Sequence, residues 1–251
     1  MASSSLSLLL PCTIFTLLLC THIQATGMFF TLVNNCHYPI WPGIQANSGH
    51  FLPEQGGFYL PPLSHRSFPA PTSQWSGRMW ARTGCTSNNG HFICATGDCG
   101  GKLQCNGAGG LPPATLAQFS IHHGNKDQSS YSVSVVDGFN IPLTITPHEG
   151  HGVCPVIGCK SDLVAMCPSH MQHRSDNGHG PVVACKSGCE AVRSDELCCR
   201  GQFNSPNTCK ATAYSNFFKH HCPEMYTFPH DTPSLVHDCS SPRELKVIFC
   251  H

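Results

Sequence analysis

Short runs in which apolar and polar residues alternate mark the two ends and the centre of this chain. Phe29-Phe30-Thr31-Leu32-Val33, aromatic and β-branched, predicts a first strand. Leu245, Val247 and Phe249 alternate with polar or outward positions and predict a last one. Arg78-Met79-Trp80-Ala81-Arg82 reads as another, with Arg78, Trp80 and Arg82 on one face, either a solvated edge or the lining of a groove. Tyr131, Val133 and Val135 alternate with Ser132, Ser134 and Val136. Asp137-Gly138 then predicts a hairpin turn, with Ile141, Leu143 and Ile145 on the return strand. Between Pro39 and Pro71, Trp41, Phe51, Phe58, Tyr59 and Phe68 recur among glycines and prolines, which suits short strands of an antiparallel sandwich. Two short helices are predicted: one capped by Ser161, running through Cys167 and stopped by Pro168, and one capped by Ser215, from Asn216 to His221, stopped by Cys222-Pro223.

Composition adds the compartment. Leu6 to Cys20 is an apolar run broken by Pro11, too short for a membrane span, and small residues follow at Ala25, Thr26 and Gly27. Residues 1–25 are therefore read as a signal peptide cleaved within 25–27. Its removal takes Cys12 and Cys20 and turns eighteen cysteines into sixteen, an even number that argues for disulfides in an oxidising compartment. The rival, a zinc site from Cys185 and Cys189, or from Cys198 and Cys199 with His220 and His221, lacks a paired C-x-x-C frame. Fourteen basic and fourteen acidic residues balance, so no Lys/Arg cluster invites nucleic acid. Twenty prolines and twenty-three glycines favour strands and loops over long helices.

The stretch Gly90 to Cys105 fits neither a helix nor a strand pattern. Three cysteines and several glycines suggest a loop tied by local bridges, Cys99 closing on Cys105 and Cys94 lying one short loop from Cys85. Asp98 is expected to accept backbone N–H groups there. Gly90, Phe92 and Cys94, followed by Thr96-Gly97-Asp98-Cys99, a glycine pair and Cys105, resemble the signature of the thaumatin family. The resemblance implies a mainly β fold: a thaumatin-like β-sandwich with a disulfide-rich helical and loop domain, a small looped domain and eight disulfides. Across 27–251 the sandwich would take 27–83, 114–158 and 223–251, the small disulfide loop domain 84–113, and the disulfide-rich domain 159–222. The implied bridges are Cys36–Cys250, Cys85–Cys94, Cys99–Cys105, Cys154–Cys239, Cys159–Cys222, Cys167–Cys185, Cys189–Cys198 and Cys199–Cys209. The first of these, joining the end strands, would remove roughly 4–5 kcal/mol of unfolded-state entropy in the chain-entropy model.

Candidate chemistry is sparse. No G-x-S-x-G elbow is present, and His148-Glu149-Gly150-His151 has the wrong spacing for a zinc protease motif. Glycoside hydrolysis needs two facing carboxylates. The resemblance implies an inter-domain cleft lined by one arginine and four acids, with weak β-1,3-glucanase activity in some members. Carried over by motif, the arginine falls on Arg82 and the acids on Gln118, Ser132, Asp137 and Asp231. Gln118 and Ser132 are not acids, and glutamine cannot act as general acid or nucleophile. No catalytic residue is assigned, and neither a metal nor a cofactor is expected. Asp137, before Gly138, serves the turn, the cleft or both. Sixteen histidines remain after cleavage; most exposed ones would charge near pH 5, with acid-dependent adsorption to anionic polymers as one consequence and scattered solvated loop positions as the plainer reading. The expectation is a secreted, monomeric defence protein of the pathogenesis-related type. It would bind cell-wall β-glucan or the fungal surface, with no nucleic acid and no transmembrane anchor. The alternatives are a weak endo-β-1,3-glucanase and a non-defence stress or developmental binding protein. Vacuolar relatives continue into a C-terminal propeptide, whereas this sequence stops at His251, so the apoplast is expected.

Overall fold

The computed structural model describes residues 27–88, 91–233 and 237–251; the segment read as a signal peptide lies outside them. Two sheets face each other. One has five strands in the order Ile157–Cys159, Leu143–His148, Glu244–Phe249, Phe29–Asn34 and Ser64–Pro69. The other has six: His151–Val153, Asp238–Ser240, Gln128–Ser134, Leu116–His123, Trp75–Arg82 and Trp41–Ala46.

Alternation decides which residues fill the space between the sheets. Phe30 and Leu32 project inward from one sheet, as do Leu245, Val247 and Phe249; Met79, Ala117, Phe119 and Val133 come from the other. The Phe30 ring lies edge-on to Phe119 at 5.1 Å between centroids and 5.6 Å from Trp75. The first and last strands pair in parallel, from Phe29 opposite Glu244 to Asn34 opposite Phe249. Parallel pairing brings the C-terminal ends of both strands to the same end of the sheet. Cys36 and Cys250 therefore meet there, with Cα atoms 5.2 Å apart.

All sixteen cysteines of the described residues are bridged, as Cys36–Cys250, Cys85–Cys94, Cys99–Cys105, Cys154–Cys239, Cys159–Cys222, Cys167–Cys185, Cys189–Cys198 and Cys199–Cys209. These pairs coincide with those the resemblance implies, and they consume every thiol of the alternative zinc sets. Among the described residues no helix is long and apolar enough to cross a membrane.

Three local expectations are corrected. Asp137-Gly138 does turn the chain, but not into a hairpin: Gln128–Ser134 lies in the six-stranded sheet and Leu143–His148 in the five-stranded one. Residues 139–141 carry the chain between the layers. Phe139 pairs its backbone with Cys185, and the Asn140 side chain donates to Ala81 O and Thr96 Oγ1 while accepting from Thr115 N–H. Gly138 is required at its position, because its φ is +90° and a Cβ there would lie 2.7 Å from Cys185 O. Secondly, no helix runs from Ser161 to Cys167. Asp162 Oδ1 accepts from Val164 and Ala165 N–H, which spends the cap on a single turn. Thirdly, the later helix starts earlier, at Ala213, and runs to His221, with Ser215 Oγ accepting the Thr212 N–H at 2.8 Å. A further short helix, Gly188–Val192, is capped by Ser187 Oγ, which accepts from Glu190 N–H.

A second, smaller core forms outside the sandwich. Trp80 points away from the inner face and packs with Cys99, Cys105, Ala114 and Leu116. Its indole N–H donates to Gly97 O at 2.8 Å. Gly43 leaves room for the ring: a Cβ there would lie 2.4 Å from it.

Candidate functional site

The strand Trp75–Arg82 carries both arginines of interest on its outward face, and burial separates them. Arg82 is 0% exposed. Its guanidinium donates to Trp41 O (2.8 Å), Pro42 O (3.1 Å), Lys102 O (2.6 Å) and Leu103 O (2.7 Å), and also approaches Cys99 Sγ at 3.2 Å. Burial pushes its pKa down to about 10, against the favourable field of Asp98. Asp98 itself accepts from Gly100, Gly101 and Cys94 N–H, as the sequence suggests. Arg82 thus clamps the cysteine loop onto the sheet edge, and its assignment to an open cleft is corrected.

Arg78 takes the outward position instead. Antiparallel register sets Gln45 opposite Arg78, Arg78 opposite Gln118, and Gln118 opposite Ser132. Their inward neighbours Met79, Ala117 and Val133 are in the core, so these polar side chains form one row across four strands. Ser132 Oγ donates to Gln118 Oε1 at 3.3 Å. Nothing in the local sequence ranks Arg78 above Arg82, since both have the same strand parity; the strand register and the covering loop decide.

A cleft of about 300 Å3 opens where the sheet meets the bridged region. Asp137, Glu190, Arg200, Lys210 and Phe228 are among its lining residues. Burial raises the Asp137 carboxyl above its ordinary value; Arg78 opposes the rise and Glu190 adds to it. Glu190 has no motif to announce it. It reaches the cleft because Ser187 caps its helix, and it pairs with Arg193 at 3.2 Å.

Of the five expected positions, Asp137 alone lines this cleft. Gln118 and Ser132 stand half-buried in the polar row. Asp231 is turned elsewhere: it is 9% exposed, pairs with Lys219 at 2.6 Å and accepts from Thr227 N–H and Oγ1–H, both at 2.9 Å. A carboxylate so engaged holds the segment after Cys222 against the Ala213–His221 helix, and the expectation that it lines a cleft is corrected.

Other clusters resolve into local pairs. His148 faces Glu244 at 3.8 Å and Glu149 faces Arg243 at 3.5 Å. Ser120 Oγ contacts His123 Nε2, whereas Asp127 contacts His122 Nδ1, so serine and aspartate engage different histidines and no relay forms. Among the described residues no group of His, Cys, Asp and Glu is arranged to hold a metal ion. The arrangement that remains is an open cleft with one carboxyl of raised pKa, a second carboxylate and two cations. On the sheet stands a separate row of neutral and cationic hydrogen-bonding groups, whose Arg78 acts on Asp137 through its charge.

The sandwich, the bridges and the signature loop together define a class. The thaumatin family matches residues 34–251, and the chain belongs to that family. It is 63% identical over 252 residues to an osmotin-like protein of Solanum lycopersicum, covering 100% of both chains. It is 44% identical to pathogenesis-related protein 5 of Arabidopsis thaliana, over 94% of this chain and 96% of that one. It is 40% identical to a glucan endo-1,3-beta-glucosidase of Prunus avium, over 86% of this chain and 88% of that one.

Proposed function

We propose that this chain is a secreted defence protein of the pathogenesis-related type, acting in the apoplast. It binds cell-wall β-glucan or the fungal surface in the Asp137 cleft, and hydrolysis is absent or very weak. The observation that carries this reading is the outward row Arg78–Gln118–Ser132, whose Arg78 charge acts on the Asp137 carboxyl. These side chains offer hydrogen bonds to hydroxyl groups, yet two of the positions where the resemblance implies acids, Gln118 and Ser132, carry no carboxyl to serve as general acid or base. The relationship to osmotin-like and pathogenesis-related proteins supports the defence role.

Sedimentation with insoluble β-1,3-glucan, run beside a reducing-sugar assay on laminarin, tests it. Binding without sugar release is expected, and Asp137→Asn should weaken the binding. Release from laminarin at the rate of ordinary glucanases would sink the binding-only reading. A second reading, a weak endo-β-1,3-glucanase, is favoured by one feature: Glu190 supplies a second carboxylate to the cleft that holds Asp137. On that reading Glu190→Gln abolishes a slow release that Gln118→Glu leaves in place.

A further inference from the structure

A groove of about 710 Å3 lies beside the sandwich and shares no lining residue with the Asp137 cleft. Tyr38 and Trp41 supply aromatic surface, Val164 and Val182 aliphatic surface, and Lys160 and Asp162 charge. Its volume falls in the usual range for small-ligand sites.

Trp41 is held in place before any ligand arrives. Its ring meets Tyr59 edge-on at 5.5 Å and Phe92 at 6.4 Å. Its carbonyl is one of those clamped by Arg82. The chain has three tryptophans. Trp75 and Trp80 donate their indole N–H to Phe51 O and Gly97 O, each at 2.8 Å. Among the described residues the Trp41 N–H has no such acceptor, so a donor stands available on a fixed ring. Tyr38 is 46% exposed, which leaves part of its ring open to solvent.

The polar groups narrow the ligand. Lys160 and Asp162 oppose each other in charge, so the groove favours neither anions nor cations strongly. Asp162 uses Oδ1 for Val164 and Ala165 N–H, leaving Oδ2 as an acceptor. Lys160 has no ion-pair partner among the described residues and offers donors. Aromatic faces are negative at the centre and attract the positively polarised C–H groups of a sugar ring. An uncharged, hydroxyl-bearing ring with an apolar face matches all three features.

We propose that this groove is a second carbohydrate site, taking an uncharged hexopyranoside oligosaccharide stacked on Trp41 and Tyr38. It is separate from the cleft of the proposed function, and either site can operate without the other. The ligand hydroxyls accept from the Trp41 N–H and Lys160 and donate to Asp162.

The test is titration of the 15N-labelled protein with laminarihexaose, following the three indole N–H resonances. Saturable movement of the Trp41 resonance, with those of Trp75 and Trp80 unmoved, is expected. Tyr38→Ala should weaken the affinity about tenfold, a loss on the scale of one aromatic contact. Trp41→Phe should weaken it as well, read from backbone amides around the groove, while Asp137→Asn, which weakens binding in the cleft, leaves the affinity read at the Trp41 resonance unchanged. A stationary Trp41 resonance up to millimolar sugar overturns the proposal. So does affinity lost in Asp137→Asn and kept in Tyr38→Ala, which would put the sugar in the cleft alone. p-Cresol is the counter-probe: if it moves the Trp41 resonance and the sugar does not, the groove is a site for plain aromatics and the proposal fails.

Discussion

Replacing Arg82 by methionine tests whether a buried cation, rather than the disulfides alone, fastens the cysteine loop to the sheet. The substitution keeps much of the side chain's length and removes every donor. Four carbonyls lose their guanidinium partner. Pro42 O keeps one bond, because Phe58 N–H also donates to it at 3.3 Å. Trp41 O, Lys102 O and Leu103 O are left to find water. At about 1 kcal/mol for each orphaned acceptor, the low end of the usual range, the loss is about 3 kcal/mol. The low end applies for two reasons: the Lys102 side of the loop is exposed and admits water, and a charged group no longer has to be buried. A chain of this size should lose about 6–12 °C in Tm. Arg82→Lys should fall between the two, since an ammonium group cannot spread donors over four acceptors. The assay is reversible denaturant unfolding with disulfides intact, followed by tryptophan fluorescence. A change below about 0.5 kcal/mol for Arg82→Met would refute the reasoning and leave the bridges Cys85–Cys94 and Cys99–Cys105 as sufficient fasteners.

Three further outcomes follow from the same contacts. Asp137 has a raised pKa in the fold, so it favours folding below its ordinary value of 3.8 and loses that contribution as pH rises through the folded value. Asp137→Asn should therefore unfold at higher denaturant concentration than the parent at neutral pH and lose that advantage in acid. His237 has a pKa lowered chiefly by burial, and its Nε2 is buried without a partner. Its contribution is complete above pH 6.5 and is lost as pH falls through the lowered value. His237→Phe, which keeps a ring beside Tyr131, should flatten the acid side of the stability–pH curve measured by denaturant titration. Gly43→Ala places a methyl 2.4 Å from the Trp80 ring and should cost about 1–3 kcal/mol in the same unfolding assay, with the indole resonance of Trp80 displaced.

Much of the architecture is legible in the residues. The end strands are written in period-2 alternation at Phe30, Leu32, Leu245, Val247 and Phe249, and each is followed by its cysteine. The cysteine-glycine loop and the donors that Asp98 satisfies are legible too, because short-range turns and caps depend on neighbouring residues. What the local pattern could not carry was any choice made by distant chain. Asp137-Gly138 has the chemistry of a hairpin turn, yet Phe139 and Asn140 find partners at Cys185, Ala81, Thr96 and Thr115, and those contacts pull the next strand into the other sheet. Arg78 and Arg82 are equivalent by strand parity. Only the loop closing over Arg82, and the register that puts Gln118 opposite Arg78, make one a buried clamp and the other part of a polar row. Asp231 is drawn from the cleft by Lys219 on a helix twelve positions away, and Glu190 is brought to it by a helix no periodicity announces. The sequence by itself determined the strands, the turns and the bridged loops, since these rest on side-chain spacing and backbone preference. The tertiary structure decided which polar groups face a cleft and which are buried, because exposure and pairing depend on what the rest of the chain lays against them.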